Sequence, residues 1–505
     1  MNGPRNPERR GFLKALGAVT GTGVLAGCTT GTSRRIAPGR IAAENALPGT
    51  RDWMLTQTRV DPPTRWRCPW IEGYVSRTSV RAGETLEFHV STRPASPFVI
   101  EVFRLGWYGG EGGRRMVTLG PFEGRMQSDP PVGPRRLRDA AWEPCTSLRI
   151  PPDWISGVYL GKLTGLREGL QSYVIFVVRD DRHADFLFQC SDFTWQAYNR
   201  WPDHFSLYDD GRSEWYWGGG VQVGFNRPYS RYCQIFDAPL SQGSGEFLLW
   251  EFPVAFWLEQ QGYDVTYVSN LDTHLDPAGL RRARGLLSVG HDEYWTIEMF
   301  RNVRSAIQSG VHVAFLSGNT CCGRIVLGPD TAGRPHRVFE RVGVFGPPGG
   351  TRDFVAMASL LHERPYANEL IGAHSTGPVT GGADWTCVRP DHWLFHGTGM
   401  RHGEGIPGLV GWEWHGDPAP IPGLEVVASG PTQETPGQLN GGTFTATVYP
   451  GPKGNVVFNA STIWWGDGLS APPGYQRPAV YTSPQGPDPR VQQITRNLLG
   501  RMLDD

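Results

Sequence analysis

The spacing of apolar runs changes character near residue 180, and that change restricts the chain to two kinds of sheet in succession. From Gly73 onward the runs are short and alternating. Leu86, Phe88 and Val90 share one face, Val99-Ile100-Glu101-Val102-Phe103 follows, and the turn-prone pairs Gly109-Gly110 and Gly112-Gly113 lie beyond. Residues two apart face the same way in an extended chain, so the pattern predicts half-buried strands joined by turns. Gly157-Val158-Tyr159-Leu160 and residues 173–178 continue the series, at a spacing that suits an immunoglobulin-like β-sandwich over residues 69–182. Beyond it, apolar runs alternate with helix-length segments. Residues 185–189, 265–268, 286–289 and 311–315 read as buried strands, and 246–261 and 297–309 as helices, the first closed by Gly262. This alternation predicts an α/β domain with a mostly parallel sheet over residues 183–505, ending in a strand at 455–458 and a helix near 492–502. Residues 29–68 are aperiodic and read as a linker along the surface of the body.

Composition narrows the function. Gly (66) and Pro (42) make up about a fifth of the 505 residues, below the roughly 25–30% of disordered low-complexity chains, so a loop-rich folded protein is expected. Forty-eight Lys+Arg balance 49 Asp+Glu, with no long basic block, which sets aside a nucleic-acid binder. Residues 1–28 read as an address. Arg9-Arg10-Gly11-Phe12-Leu13-Lys14 precedes a weakly apolar run that closes in Leu25-Ala26-Gly27-Cys28, the pattern of a twin-arginine signal ending in a lipoprotein-type cleavage site. The expectation is a periplasmic or cell-envelope protein that touches the membrane only through a lipid on Cys28, since no later stretch reaches the ~18 apolar residues of a spanning helix. Proteins taking this route cross already folded, often with a cofactor inserted, which makes a metal worth seeking. The other seven cysteines are scattered without C-x-x-C spacing, so a zinc ribbon is not expected, and their odd number leaves at least one thiol without an intramolecular disulfide partner.

The strand ends carry the chemistry. Gly290-His291-Asp292-Glu293 places an imidazole and two carboxylates directly after a buried strand, with His291 and Glu293 on one side. One could ligate a metal while the other handles protons. Equally, Asp292 or Glu293 could cap the helix beginning near Trp295, though a cap does not need the histidine. Tyr198 and Tyr208, in Thr194-Trp195-Gln196-Ala197-Tyr198-Asn199 and Ser206-Leu207-Tyr208-Asp209, could supply phenolate ligands to Fe(III); aromatic packing explains them as well. There is no H-E-x-x-H and no G-x-S-x-G, so neither a zincin nor a serine hydrolase is supported. The adjacent Cys321 and Cys322 could offer a thiol nucleophile, and fit a structural or oxidised pair better.

The segments Gly73-Tyr74-Val75-Ser76-Arg77-Thr78-Ser79, Arg104-Leu105-Gly106-Trp107-Tyr108-Gly109-Gly110, residues 194–199, Phe225-Asn226-Arg227-Pro228-Tyr229, residues 288–295 and Leu316-Ser317-Gly318-Asn319 together resemble the family named for the large subunit of N,N-dimethylformamidase, over about residues 70–470. The resemblance implies a β-sandwich followed by an α/β domain similar to class I glutamine amidotransferases. It also implies a mononuclear Fe(III) held by two tyrosines and a glutamate, and hydrolysis of a small amide or another C–N bond. Carried over by motif, the ligands are Tyr198, Tyr208 (with Tyr229 as the alternative) and Glu293, with His291 and Glu413 as catalytic groups. Asn319, Trp195 and Asp292 are the expected substrate contacts, and self-association is a further expectation. The chain differs from the formamidase in its Tat-like signal and in having no counterpart of the extra N-terminal region. A reading from another class starts from the nineteen Trp. Exposed Trp stacks on sugars, so the fold could serve a non-catalytic, carbohydrate-binding or scaffold protein of the envelope; core filling explains most of these Trp equally.

Overall fold

The computed structural model describes residues 39–59, 66–213, 215–230, 246–345, 365–435, 437–438, 441–478 and 486–504. The signal, Cys28 and Cys233 lie outside them. Among the described residues the chain is mostly strand, in five sheets with interspersed helices, and no sheet closes into a barrel. No described helix is long and apolar enough to cross a membrane.

The first apolar series forms two sheets. Glu72–Val75, Thr85–Ser91 and Thr146–Arg149 pair antiparallel. The second sheet runs Ser79–Arg81, Gln171–Arg179, Gly157–Gly165, Phe98–Leu105, Gly113–Phe122, antiparallel apart from its first pair. Period-2 alternation shows why Gln171–Arg179 is apolar almost throughout. Val174, Phe176 and Val178 face a core shared with Leu86, Phe88 and Val90 of the first sheet. Tyr173, Ile175 and Val177 face the opposite way, into a core shared with Phe186, Phe252 and Trp257 of the later chain. A sheet buried on both faces reads as a continuous hydrophobic run, and here that burial packs the second sheet against the later chain.

The body is built on a seven-stranded sheet in the order Val265–Ser269, Ala184–Cys190, Ala283–Gly290, His312–Ser317, Val456–Asn459, Gly442–Pro450, Glu425–Thr432. The first five are parallel, and the last two each pair antiparallel with the strand before them. Helices Ile297–Gln308 and Pro489–Asp504 form close to where periodicity places them. The helix expected over 246–261 is divided: Phe247–Glu251 is a π-helical turn and Phe252–Gln261 is α-helical, ending at Gly262 with φ +79°. Pro253 lacks an N–H at the junction, so the regular ladder cannot run through it.

The stretch read as a surface linker is different over 39–59. It holds the helix Arg40–Asn45 and buries Ile41 and Trp53, because Asn45 bonds Glu259 (2.8 Å) and Trp53 donates to the Glu111 carbonyl (3.0 Å). Among the described residues no two cysteines form a disulfide, Cys321 and Cys322 included.

Candidate metal centre

The candidate site lies beyond the carboxyl ends of the parallel strands, the usual place for ligands in such sheets. Five separate parts of the chain meet there, the loop that bears Tyr208 among them. Ala184–Cys190 leads into the helix Asp192–Tyr198, which the sequence reading treated only as a segment after a strand. Thr194 Oγ1 accepts from the amides of Glu293 (3.1 Å) and Tyr294 (3.3 Å), joining that helix to the turn after Ala283–Gly290. Glu413 comes from Gly405–Pro418, which pairs antiparallel with Ala373–Thr386. Glu246 stands just before the π-helical turn.

Two glycines allow these parts to close. A Cβ on Gly290 (φ +70°) would lie 2.6 Å from Trp250 Cβ, and one on Gly318 would lie 2.2 Å from the Glu413 carbonyl oxygen. Both are backbone approaches that exclude a side chain.

Glu293 Oε2 is the focus. Tyr198 donates to it at 2.5 Å, the Tyr208 hydroxyl lies 3.3 Å away, and His291 Nε2 is also at 3.3 Å. The Tyr198 and Tyr208 hydroxyls bond each other, and Tyr208 shares a 2.5 Å hydrogen bond with Tyr294. His291 Nδ1 meets Glu246 Oε2 at 3.2 Å, and its Nε2 makes an ion pair with Glu413. Ligand atoms of His291, Glu293 and Glu413 all lie within 4.8 Å of one another, and all three residues are buried.

Burial pushes the Tyr198, Tyr208 and Tyr294 phenols well above their ordinary range, and the Glu293 charge pushes them further. Burial by itself lowers an imidazole's pKa, but Glu413, Glu246 and Glu293 carry that of His291 well above its usual value. Burial raises Glu413 to about 7, against the opposing pull of His291.

The remaining expected residues fall elsewhere. Asp292 points to the other side of its turn and accepts from Gln189 (2.5 Å), Ser288 (2.7 Å) and Asn270 (3.0 Å), pinning the turn to the sheet. Trp195 donates to Glu251 at 2.6 Å, away from the phenols. Asn319 is buried with φ +51°, and its Oδ1 has no partner. Tyr229 lies against Gln196 and Arg227, so Tyr208 is the second tyrosine beside Glu293. Cys322 is a buried thiol pushed well above its ordinary pKa by burial and then by Glu293 and Glu413, which disfavours a nucleophilic thiolate.

Sequence reasoning missed Glu246, Tyr294, Thr194 and Arg341. Tyr294 was in view, adjacent to Glu293. Thr194 was in view as well, in the segment that carries Tyr198, whereas Glu246 and Arg341 reach the site along paths that no local pattern reveals.

The donor set suits a hard cation. Glu246, Glu293 and Glu413 are at most 3% exposed, and among the described residues His291 is the only cationic group in contact with them. Buried negative charge in excess of its partners is costly unless a cation shares it, and carboxylate and phenol oxygens favour a hard one. Fold and site together define a protein of several mixed sheets and interspersed helices with a buried carboxylate, phenol and imidazole cluster able to hold a metal. A family model described as N,N-dimethylformamidase beta subunit-like, C-terminal, matches residues 99–478, and the chain belongs to that family. No curated protein matches the sequence.

Proposed function

We propose that this protein is an iron-dependent amidohydrolase acting on a small amide or another C–N bond. The observation that carries the reading is the convergence of two phenols and an imidazole on one oxygen of Glu293. Tyr198, Tyr208 and Glu293 would hold the ion, and a cation there supplies Lewis-acid polarisation of an amide carbonyl. His291, anchored at Nδ1 by Glu246, holds a proton at Nε2 within reach of a departing amine. Glu413, with its pKa near 7, takes up a proton in the same range. The family's name supports an amide as substrate. The same reading includes an immunoglobulin-like sandwich with a glutamine-amidotransferase-like body. It also includes Tat export to the periplasm with a lipid on Cys28, resting on the Arg9-Arg10 pattern and the residues before Cys28. A glycan-binding surface has less support, since Trp215 alone of the nineteen Trp is exposed.

Iron and zinc content, measured with the visible spectrum of protein purified without added metal, tests the proposal. Near-stoichiometric iron with a tyrosinate charge-transfer band that is lost in Tyr198→Phe supports it and justifies an amide screen. Protein that stays colourless and metal-free after reconstitution with iron sinks it and returns attention to binding.

A further inference from the structure

Arg341, on the strand Val338–Val344, is 2% exposed. An arginine so deeply placed ordinarily has a carboxylate partner. Arg104 shows the ordinary case, bonded through both terminal nitrogens to Glu259. Among the described residues no carboxylate makes an ion pair with Arg341. Its bonds go to the Tyr294 hydroxyl (3.0 Å) and to the carbonyls of Leu207 (3.3 Å), Tyr216 (2.8 Å) and Gly218 (3.1 Å), and its Nε has no partner. Its Cζ sits 5.0 Å from the centre of the Tyr208 ring and 5.6 Å from that of Trp217.

Every one of these contacts bears on a single object, the Tyr208 phenol. Three hold the loop on which Tyr208 stands, one holds the phenol that bonds the Tyr208 hydroxyl at 2.5 Å, and the guanidinium lies near its ring. Arg227, equally buried and without a carboxylate among the described residues, bonds four carbonyls and the Gln196 side chain; Arg341 differs in also bonding a phenol of the site. We infer that Arg341 is the positioning residue of the site. Through Tyr294 it sets the direction of the Tyr208 hydroxyl, and through three carbonyls it sets the loop from which Tyr208 projects. Its charge also lies close to the Tyr208 and Tyr294 phenols. The inference rests on the proposed reading of Tyr208 as a metal ligand. The clamp itself can be measured without metal.

The test uses Arg341→Met, Arg341→Lys and Tyr294→Phe in the full chain. In metal-free protein, hydrogen exchange of peptides covering residues 205–218 should accelerate roughly tenfold or more in Arg341→Met, with Arg341→Lys intermediate and Tyr294→Phe close to wild type. In iron-loaded protein, Tyr294→Phe should retain stoichiometric iron but shift the tyrosinate band, because only the relay hydroxyl is gone. Arg341→Met should lose band intensity, partly restored in Arg341→Lys. Unchanged exchange in Arg341→Met overturns the inference whether or not iron binds. So does a wild-type band in both Arg341→Met and Tyr294→Phe. Wild-type protein that takes up no iron, with exchange still accelerated in Arg341→Met, defeats the metal reading and leaves the clamp standing. If Arg341→Met does not fold, the band of Tyr294→Phe decides.

Discussion

Glu259→Gln should destabilise the protein by about 3–5 kcal/mol, the cost of breaking a fully buried ion pair from one side. Both side chains of the Arg104–Glu259 pair are completely buried. Glu259 accepts from Arg104 Nη1 (3.0 Å) and Nη2 (2.7 Å), from Asn45 (2.8 Å) and from Tyr267 (2.9 Å). Turning one oxygen into an amide nitrogen sets a donor against those donors and leaves the guanidinium without its counter-charge. The pair also joins the strand Phe98–Leu105 of one sheet to the helix Phe252–Gln261 of the later chain. Loss of the charge should therefore weaken both parts together. Urea unfolding followed by tryptophan fluorescence reads the change, and a single transition at a lower midpoint is expected. The double variant Arg104→Met with Glu259→Leu should recover part of the loss, because it removes the unpaired charge but leaves the Asn45 and Tyr267 donors without an acceptor. A loss below about 1 kcal/mol in Glu259→Gln, or a double variant as unstable as the two single losses combined, would refute the reasoning.

Tyr208→Phe should weaken iron binding roughly tenfold or more, whereas Tyr229→Phe should keep wild-type metal content after dialysis; equal losses would undo the choice between them. Gly318→Ala should cost about 1–3 kcal/mol by forcing the chain off the Glu413 carbonyl, and should also lower iron content; wild-type stability and metal content together would contradict this. Asp330 supplies a pH test away from the site. Burial raises its pKa, but the Arg334 amide, the Asn226 side chain and the Arg334 guanidinium bring it below the ordinary carboxylate value. The stabilisation is therefore complete above the unfolded pKa of about 3.9 and is lost as pH falls through the lower folded value. The stability gap between wild type and Asp330→Asn should be full at neutral pH and should close below about pH 4. A gap that stays constant into that range would count against the assignment.

The strands of the parallel sheet were legible because burial on both faces writes them as apolar runs. His291 and Glu293 meet on one side while Asp292 bonds Ser288 on the other, in a turn between two strands rather than within one. The choice between Tyr208 and Tyr229 was not legible, since it turns on a loop whose course is set by Arg341 and Arg227. Arg227 bonds the carbonyls of Gln196, Asn199, Trp201 and Phe205. Glu246 reads locally as an ordinary acid at the start of a helix. The motif Arg104-Leu105-Gly106-Trp107-Tyr108 carries no site chemistry. It belongs to the Glu259 pair, with Tyr108 bonding Glu44 and Gly106 leaving room where a Cβ would sit 2.3 Å from Glu259.

The convergence of Tyr198, Tyr208, Glu246, His291, Glu293 and Glu413 also has a meaning in time. These residues are contributed by chain segments far apart in sequence, and contacts of that kind form slowly because loop entropy must be overcome first. The tyrosines leave the ribosome long before Glu413 does, so a nascent chain carries an incomplete set of donors for most of its synthesis. The full set comes into being only when the Gly405–Pro418 strand docks against Gly318. Completion of the fold and assembly of the whole buried cluster, its proton-handling Glu413 included, thus become one event.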